Sequence, residues 1–463
     1  MSILTQAAAE QVLTAALSTG GDFAEIFAED TLSNSFSMID NKLETVLSGR
    51  SYGVGVRVLK GVQQVFASTN DLSLEGLLQV AKRVAAAIGS GSGTLDLCLT
   101  QQICRNLSPI LQVPSSVSAQ RKIPIVKDAY RAAKEYSSEI SQVSVSLVDK
   151  DRRFQIANSE GLFLEDRRCS TRLGVSTVAS NAGENQTGFE GPGRQMGYEM
   201  FGQIIDPAFY AVKAAKRAVT MLHAGNCPSG KMTVAIDNGF GGVIFHEACG
   251  HSLEATSVSK GHSEFCGKLG QQIASPKVTA YDDGTISNAW GTINVDDEGT
   301  PSRCNLLIEN GVLKGYMIDK LGGRRMGMEP TGSSRRQDYR YAPTSRMTNT
   351  YIAAGNDRYE DIIGSMEYGL YAASMGGGSV NPVTGEFNFA VAEGYLVRHG
   401  EICEPVRGAS LIGKGSEILM NIDMVSDNLD MAQGMCGSQS GSVPTNVGQP
   451  LIRVSEITVG GRE

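Results

Sequence analysis

Two periods of apolar and polar residues alternate along the first part of the chain. Apolar residues recur at helical spacing over 6–18 and 72–88, which predicts two amphipathic helices. Between them, runs in which every second residue is apolar predict strands over 23–29, 35–47, 52–59 and 63–68. The glycine and serine run at 89–93 predicts a flexible loop. This part of the chain is therefore expected to form a small unit of helices and hairpins.

The same alternation continues to about residue 225. Helical spacing predicts helices over 123–140 and 207–222, and alternating runs predict strands over 143–147 and 154–158. A cluster of turn-forming residues at 226–230 then predicts a domain boundary. The predicted fold class is α+β. Residues 1–225 are predicted to form an N-terminal α/β domain of helices and hairpins.

The remainder of the chain is dominated by short alternating runs that end in glycine or asparagine. A strand at 232–236 leads through a glycine turn into a short apolar helix. Asn310 and Gly311 separate the runs 304–309 and 312–318, and this pair strongly indicates a hairpin. Residues 226–463 are therefore predicted to form a C-terminal domain with a largely antiparallel, β-barrel-like sheet.

The helix that follows the glycine turn contains the pattern HExxxH at residues 246–251. In the common HExxH pattern the histidines are four residues apart, about 40° around the helix axis, and they share one metal ion. Here they are five apart, about 140° on an ideal helix. Gly250 precedes His251 and would allow a distorted turn. We predict that the helix is overwound or broken between Ala248 and His251, so that His246 and His251 bind one metal ion beside Glu247.

A third protein ligand is needed, because a catalytic zinc ion keeps three protein ligands and leaves one position for water. The candidates are Glu254, His262, Cys266 and the distant Cys436. Glu254 could instead orient a ligating imidazole. Cys436 lies among glycines without hydrophobic periodicity, so a core role is harder to argue for it. Local chemistry leaves these alternatives open.

Two further features lie near the pattern or later in the chain. Gly241 and Gly242 either admit a substrate backbone or only make the turn. The favoured interpretation of an arginine-rich loop is pairing with Glu329, Asp338 and backbone carbonyls, and the alternative is binding of a peptide carboxylate. The loop contains Arg324, Arg325, Arg335, Arg336, Arg340 and Arg346.

Charge and composition exclude several classes of partner. The chain has 41 basic and 49 acidic residues, a net charge of −8, and a pI near 5.4, which has the wrong sign for neutralising phosphates. We expect no nucleic-acid partner. The first residues lack a secretory signal and no run is long enough to span a membrane, so a cytoplasmic location without a membrane partner is expected. Nine cysteines without framework spacing fit reduced thiols.

Several segments resemble the TldD branch of the TldD/PmbA metallopeptidase family. They are FHEACGHSLE at 245–254, RMTNTY at 346–351, GMCG at 434–437 and VGQP at 447–450. They occur in the same order over nearly the whole chain. The PmbA (TldE) branch lacks HExxxH, so the resemblance places this chain with the catalytic subunit.

The resemblance implies a zinc-dependent peptidase with His246, His251 and Cys436 as Zn²⁺ ligands and Glu247 as general base. Glu254 and Arg346 remain candidates for orienting ligands or contacting substrate. The resemblance also implies that peptides or unfolded segments are the substrates, and that the chain pairs with a PmbA/TldE-like paralogue or with itself. The alternative is a non-catalytic regulatory or assembly subunit, for example a gyrase-modulator-type protein with a structural metal.

Overall fold

The computed structural model describes residues 3–89, 91, 97–381 and 384–461. The fold is α+β, as predicted, and its two halves are built on separate large sheets. Part of the predicted loop at 89–93, namely residues 90, 92 and 93, lies outside the described residues. The predicted division of the chain at residue 225 stays a prediction.

An eight-stranded sheet forms the N-terminal half. Its strands are β1 (Phe23–Ile39), β2 (Lys42–Lys60), β3 (Gln63–Thr69), β4 (Thr100–Gln102), β5 (Ile140–Asn158), β6 (Leu162–Asn181), β7 (Glu184–Glu190) and β8 (Gly193–Arg194). The order is β3-β2-β1-β5-β6-β4, and β7 and β8 also pair with β6. Consecutive long strands pair antiparallel, so this half is a series of hairpins.

Five helices accompany this sheet. They are α1 (Gln6–Leu17), α2 (Leu74–Ile88), α3 (Ala119–Glu135), α4 (Met200–Gln203) and α5 (Pro207–Leu222). Side chains of Thr5, Ser73 and Asp206 accept hydrogen bonds from backbone N–H groups in the first turns of α1, α2 and α5, which explains where these helices begin. Helices α1 and α2 cover one apolar region of the sheet, and α3 and α5 cover another. The spacing of apolar residues had predicted each of the four longer helices.

Some predicted boundaries were wrong. The strand predicted over 35–47 crosses a turn at Asp40 and Asn41, whose φ values are 44° and 64°. Aspartate and asparagine adopt this left-handed conformation more readily than most residues, so the chain turns here without a glycine. The alternation of apolar and polar residues on both sides of the turn therefore predicted one strand. The strands predicted over 143–147 and 154–158 are parts of the single strand β5. The helix predicted over 123–140 is α3, which begins and ends earlier.

The C-terminal half contains a barrel-like sheet and a second, six-stranded sheet. The strands are β9 (Gly225–Asn226), β10 (Gly230–Ile236), β11 (Ala280–Asp283), β12 (Cys304–Glu309), β13 (Val312–Leu313), β14 (Ser334–Arg335), β15 (Thr344–Ser345), β16 (Asn349–Ile352), β17 (Tyr368–Val380), β18 (Glu386–Arg398), β19 (Glu401–Arg407), β20 (Ser410–Lys414), β21 (Ile422–Val425), β22 (Asp430–Ser438), β23 (Gly441–Gln449) and β24 (Ile452–Gly460). Strands β17, β10, β24, β20 and β18 pair in that order, and β18 returns to β17. This closure confirms the predicted barrel-like sheet.

The second sheet, in the order β13-β12-β11-β16-β23-β22, lies beside the barrel. Its β12–β13 hairpin confirms the turn predicted at Asn310 and Gly311, although β13 is shorter than the predicted run 312–318. The helices of this half are α6 (Val243–Ala248), α7 (Ala255–Val258), α8 (Lys320–Met326), α9 (Tyr359–Gly364) and α10 (Gly415–Asn421). Helix α6 contacts β17 and β18 of the barrel and β16 and β23 of the second sheet. The HExxxH segment is thus held between the two sheets.

Candidate metal centre

The predicted break in the motif helix is present. Helix α6 ends at Ala248, Cys249 has φ −123° and ψ −48°, and residues 250–253 form a turn of 3₁₀-helix. The ring centroids of His246 and His251 consequently lie 5.1 Å apart, with the ring planes at 84°. The distortion brings together two side chains that an ideal helix would separate.

Gly250 permits this turn for a different reason from the predicted one. It is absent from the glycines with positive φ, so its backbone does not need unusual dihedral angles. A Cβ atom at this position would lie 2.3 Å from Sδ of Met347. The glycine therefore lets the turn pack closely against Met347, which a larger residue at this position would displace.

Cys436 reaches the two histidines from the hairpin of β22 and β23. Its Sγ atom lies 3.3 Å from Nε2 of His251. One donor atom from each of His246, His251 and Cys436 lies within 4.8 Å of the others, and no other group of this kind occurs among the described residues. The thiol is buried, 185 residues along the chain from His251.

The electrostatics of this cluster favour a thiolate. Burial raises the pKa of the Cys436 thiol, but hydrogen bonds and charge from His246 and His251 outweigh burial and lower the pKa to about 4. Burial lowers the pKa of His251, while the charge of Glu254 and contact with Cys436 raise it well above its usual value. A thiolate is the form of cysteine that binds metals.

Two carboxylates lie on different sides of the His251 ring. All residues from 241 to 250 are buried except Glu247, which is half-buried. The Oε2 atom of Glu247 lies 3.7 Å from Nε2 of His251. Glu254 is buried, and its Oε2 lies 3.2 Å from Nδ1 of the same ring. Glu247 therefore lies beside the donor atoms on the accessible side, whereas Glu254 contacts the opposite nitrogen.

The other candidates for a third ligand lie outside the cluster. The Cys266 thiol donates to the carbonyl of Val258 at 3.5 Å. Neither Cys266 nor His262 belongs to the group of clustered donor atoms. Glu254 takes the alternative role considered for it, as the partner of a clustered imidazole.

Arg346 lies behind the hairpin that carries Cys436. Its guanidinium is fully buried and donates to the carbonyl of Cys436, to Oγ of Ser440 at 3.0 Å and to the carbonyl of Gly441 at 2.8 Å. The Oε1 atom of Gln337 accepts from the N–H of Ser442 at 2.9 Å. The sequence had not indicated Ser440 or Gln337, because polar residues in turns carry no periodic pattern. Arg346 thus supports the thiol-bearing strand.

Gly241 and Gly242 are buried against β23. A Cβ atom at Gly242 would lie 2.5 Å from the backbone nitrogen of Gly448, and one at Gly241 would lie 2.8 Å from Nε2 of Gln449. The structure therefore supports the turn and packing role of these glycines.

The arginine-rich loop is paired largely as expected. Arg340 forms an ion pair with Asp338 at 2.7 Å, and several other guanidiniums donate to backbone carbonyls. The predicted pairing with Glu329 was wrong. Within the part of the chain that the structure describes, Glu329 forms no ion pair with these arginines, and Arg336 instead pairs with Glu25 of the N-terminal sheet at 2.5 Å.

Known families of protein domains match this chain over most of its length. Three models of PmbA/TldA metallopeptidase domains match residues 24–88 (domain 1), 113–222 (central domain) and 229–461 (C-terminal domain). The chain belongs to the PmbA/TldA metallopeptidase family. The metal-candidate cluster, which consists of His246, His251 and Cys436, lies entirely within the C-terminal domain of this family.

Relatives in this family carry metalloprotease names. The "Metalloprotease TldD homolog" of Haemophilus influenzae is 36% identical over 95% of this chain and 93% of its own length. The "Zinc metalloprotease TldD homolog" of Saccharolobus solfataricus is 25% identical over 96% of this chain and 97% of its own length. These names support a metallopeptidase.

Solved structures share the fold. TldE from Thermococcus kodakarensis has a TM-score of 0.75 at 19% identity and covers 95% of this chain and 97% of its own. A Thermotoga maritima protein, named as a proposed modulator of a DNA gyrase, has a TM-score of 0.78 at 22% identity and covers 95% and 96%. Among the described residues of the present family member, no helix is long and apolar enough to cross a membrane.

Proposed function

We propose that this chain is a zinc-dependent peptidase in which His246, His251 and Cys436 hold the metal and Glu247 is the general base. The observation that carries the proposal is the convergence of two imidazoles and a thiol from distant segments, beside an accessible carboxylate. Membership of a metallopeptidase family supports it.

The donor set fits zinc. Imidazole and thiolate ligands suit this ion, and three protein donors match the composition of catalytic sites, in which a fourth position stays open. The Nδ1 atom of His246 is buried and has no hydrogen-bond partner among the described residues, so no protein group competes for that side of the ring. Glu254 contacts the far nitrogen of His251, an arrangement that orients ligating imidazoles.

The roles of the side chains follow from these positions. A zinc ion at this cluster would supply Lewis-acid chemistry to a peptide carbonyl and to water. Glu247 lies on the accessible side, where its carboxylate accepts a proton from the attacking water and returns it to the leaving amine. Glu254 keeps the tautomer and orientation of the His251 ring. Arg346 holds the strand that delivers Cys436.

A structural metal in a regulatory or assembly subunit would require a closed site with a fourth protein ligand. Of the candidates for a fourth ligand, Glu254 contacts Nδ1 of His251 and Cys266 lies outside the group of clustered donor atoms. This arrangement favours the peptidase over the regulatory alternative. The net charge of −8 gives no support to a role on DNA.

The test combines metal analysis with a variant. The purified protein is expected to contain one equivalent of zinc per chain and to digest an unfolded protein such as reduced casein, with loss of cleavage on chelation and recovery on addition of zinc. Glu247→Gln should keep the zinc and lose cleavage by at least about a hundredfold. The surface change Glu309→Gln is the matched control. Wild-type cleavage by Glu247→Gln would show that Glu247 is not the base.

We also propose that the chain works on peptides or unfolded segments together with a PmbA/TldE-like paralogue, or as a pair of identical chains. The shared fold with a TldE protein supports this pairing. Sedimentation of the chain alone and after co-expression with its paralogue would distinguish the two assemblies. A cytoplasmic location is the accompanying proposal, and the nine unpaired cysteines are its support.

A further inference from the structure

A cavity of about 330 Å³ lies between the two halves of the chain, and none of its lining residues is His246, His251 or Cys436. One wall is formed by side chains of β1, β5 and β6, and the other by residues 335–340 and the β22–β23 hairpin. The hairpin contributes Met435 and Pro444, which are cross-strand partners. Because successive side chains of a strand point to opposite faces, Met435 and Cys436 face opposite sides of the hairpin. Val443, the cross-strand partner of Cys436, also lines the cavity, so the cavity and the metal-binding candidates adjoin the same hairpin without sharing a residue.

The cavity wall is rich in positive charge, although the chain as a whole is acidic. Six cationic side chains but only three acidic ones line it. Each acidic side chain is already paired with an arginine of the same wall. The pairs are Glu29 with Arg152 at 3.1 Å, Asp297 with Arg168 at 2.7 Å, and Asp338 with Arg340 at 2.7 Å. The carboxylates of the wall therefore leave part of its positive charge without a partner.

Of the three other cations, Arg336 pairs with Glu25 outside the wall, which leaves Lys150 and Arg335. Among the described residues, neither has a carboxylate within the 4.0 Å of an ion pair. Arg335 is 3% exposed, and within the described ranges its guanidinium donates only to the carbonyl of Met347, at 2.6 Å. Burial and the charges of Arg168 and Arg346 lower the pKa of Arg335 to about 9, although the charges of Asp297 and Asp282 oppose this change. A buried cation without an ion-pair partner is costly, so such a group marks a place where an anion would be stabilising.

Lys150 and Arg335 come from opposite walls. Lys150 is on β5 and is accessible to solvent, whereas Arg335 is buried on the C-terminal side. An anion between them would meet an ammonium group at the accessible side and a planar guanidinium inside. This combination suits an oxyanion, since a guanidinium offers two parallel N–H groups to carboxylate or phosphate oxygens.

We propose that this cavity is a binding site for an oxyanion, a carboxylate or a phosphate, held by Lys150 and Arg335. The site does not depend on the proposed peptidase function, because none of its lining residues belongs to the metal-candidate cluster. A carboxylate ligand would come from the end of a peptide, and a phosphate ligand from free phosphate in the cell. Either ligand would bridge the two halves of the chain.

The test is calorimetric titration of the full chain after treatment with a chelator, so that no metal competes for the anion. The probes are inorganic phosphate, N-acetyl-triglycine with a free carboxylate, and the same peptide as its amide. At least one of the two anions should bind, and the amide should not. Lys150→Met should weaken that binding about tenfold, the effect of losing one charge-assisted hydrogen bond.

Arg153→Met is the matched control. Arg153 is an exposed residue of β5, as Lys150 is, but it lines a different cavity, so its loss removes the same charge without touching the site. Thermal unfolding verifies that both variants are folded, and Lys150→Gln provides a second replacement. Binding of phosphate alone or of the free-carboxylate peptide alone would identify the source. The proposal is overturned if neither anion binds, or if Lys150→Met and Arg153→Met bind equally well.

Discussion

At the scale of single residues, the candidate centre is a chain of contacts from Glu254 through His251 to Cys436. The carboxylate contacts one nitrogen of the ring, and the other nitrogen lies 3.3 Å from the thiol sulfur. Each contact limits the orientations of the next side chain. The position of the thiol relative to the two imidazoles thus depends on a carboxylate that does not touch it.

Replacement of that carboxylate tests this dependence. Glu254→Gln should weaken zinc binding by about 10–100-fold, because the amide cannot replace the charge that orients and polarises the His251 imidazole. Competition with a chromophoric chelator measures the change in Kd. Glu309→Gln, far from the site on β12, serves as control. An unchanged zinc Kd in Glu254→Gln would mean that the ring is oriented by packing alone.

At the scale of elements, the β22–β23 hairpin decides where the thiol lies. Gly441 is the first residue of β23, next to the turn of the hairpin, and has φ +83°. A Cβ atom there would also lie 2.5 Å from Cβ of Gln337. Gly437, in the same hairpin, does not have positive φ, and a Cβ atom added to it would have no heavy atom within 4 Å. The two glycines therefore differ in what the hairpin requires of them.

This difference leads to a paired prediction. Gly441→Ala should lower the free energy of unfolding by roughly 1–3 kcal/mol, because a left-handed backbone and a close contact both oppose the methyl group. Gly437→Ala should leave it within about 0.5 kcal/mol of the wild-type value. Urea denaturation followed by circular dichroism measures both. Equal losses in the two variants would contradict the role assigned to the turn.

At the scale of the whole molecule, buried ion pairs connect the N-terminal sheet to the C-terminal half. Arg57 on β2 is fully buried and pairs with Glu25 at 2.7 Å and with Glu298 at 2.5 Å. Arg336 reaches Glu25 from the other half, also at 2.5 Å. Two guanidiniums and two carboxylates thus form a network of ion pairs across the interface. Removal of one member leaves buried charge without a partner.

Arg57→Met should therefore destabilise the protein by roughly 3–5 kcal/mol, the usual cost of leaving buried carboxylates unpaired. The matched control is Arg50→Met on the same strand. Arg50 pairs with Asp30 in an exposed ion pair, and its loss should barely change stability. Urea unfolding compares the two variants. Similar losses would show that the buried network does not hold the halves together.

The same network predicts a dependence on pH. Burial raises the pKa of Asp319 from 3.8 to about 6, and the charge of Glu298 adds to the effect while that of Arg57 opposes it. Between these two pH values the folded state binds a proton that the unfolded state has released. The contribution of Asp319 to stability is therefore fully present below about pH 4 and is lost as pH rises through about 6.

Asp319→Asn removes this titration. The variant should gain stability relative to the wild type as pH rises from about 4 to 7, since the amide stays neutral throughout. Unfolding by urea at several pH values measures the difference. Asp128→Asn, an exposed position on α3, is the control and should follow the wild-type pH profile. A constant difference between Asp319→Asn and wild type would place the titrating group elsewhere.

The sequence by itself determined the elements whose burial is local. Apolar spacing located the longer helices and the β12–β13 turn, because one face of each element packs on a core and its period is visible in consecutive residues. The five-residue separation of His246 and His251 predicted the break in α6, because an ideal helix cannot place both rings together. Cys436 was indicated by family resemblance, since no local pattern linked it to the histidines.

Only the tertiary structure decided which distant segments meet. The order of strands in the barrel, the pairing of Arg336 with Glu25 instead of Glu329, and the side of His251 that Glu254 contacts all depend on strand register and packing. The close packing of Gly250 against Met347 likewise depends on the fold, because the two residues are far apart in the sequence. Periodicity records how deeply a residue is buried, but it does not record which partner buries it. For that physical reason, the donor set could be proposed from the chain, while its geometry required the fold.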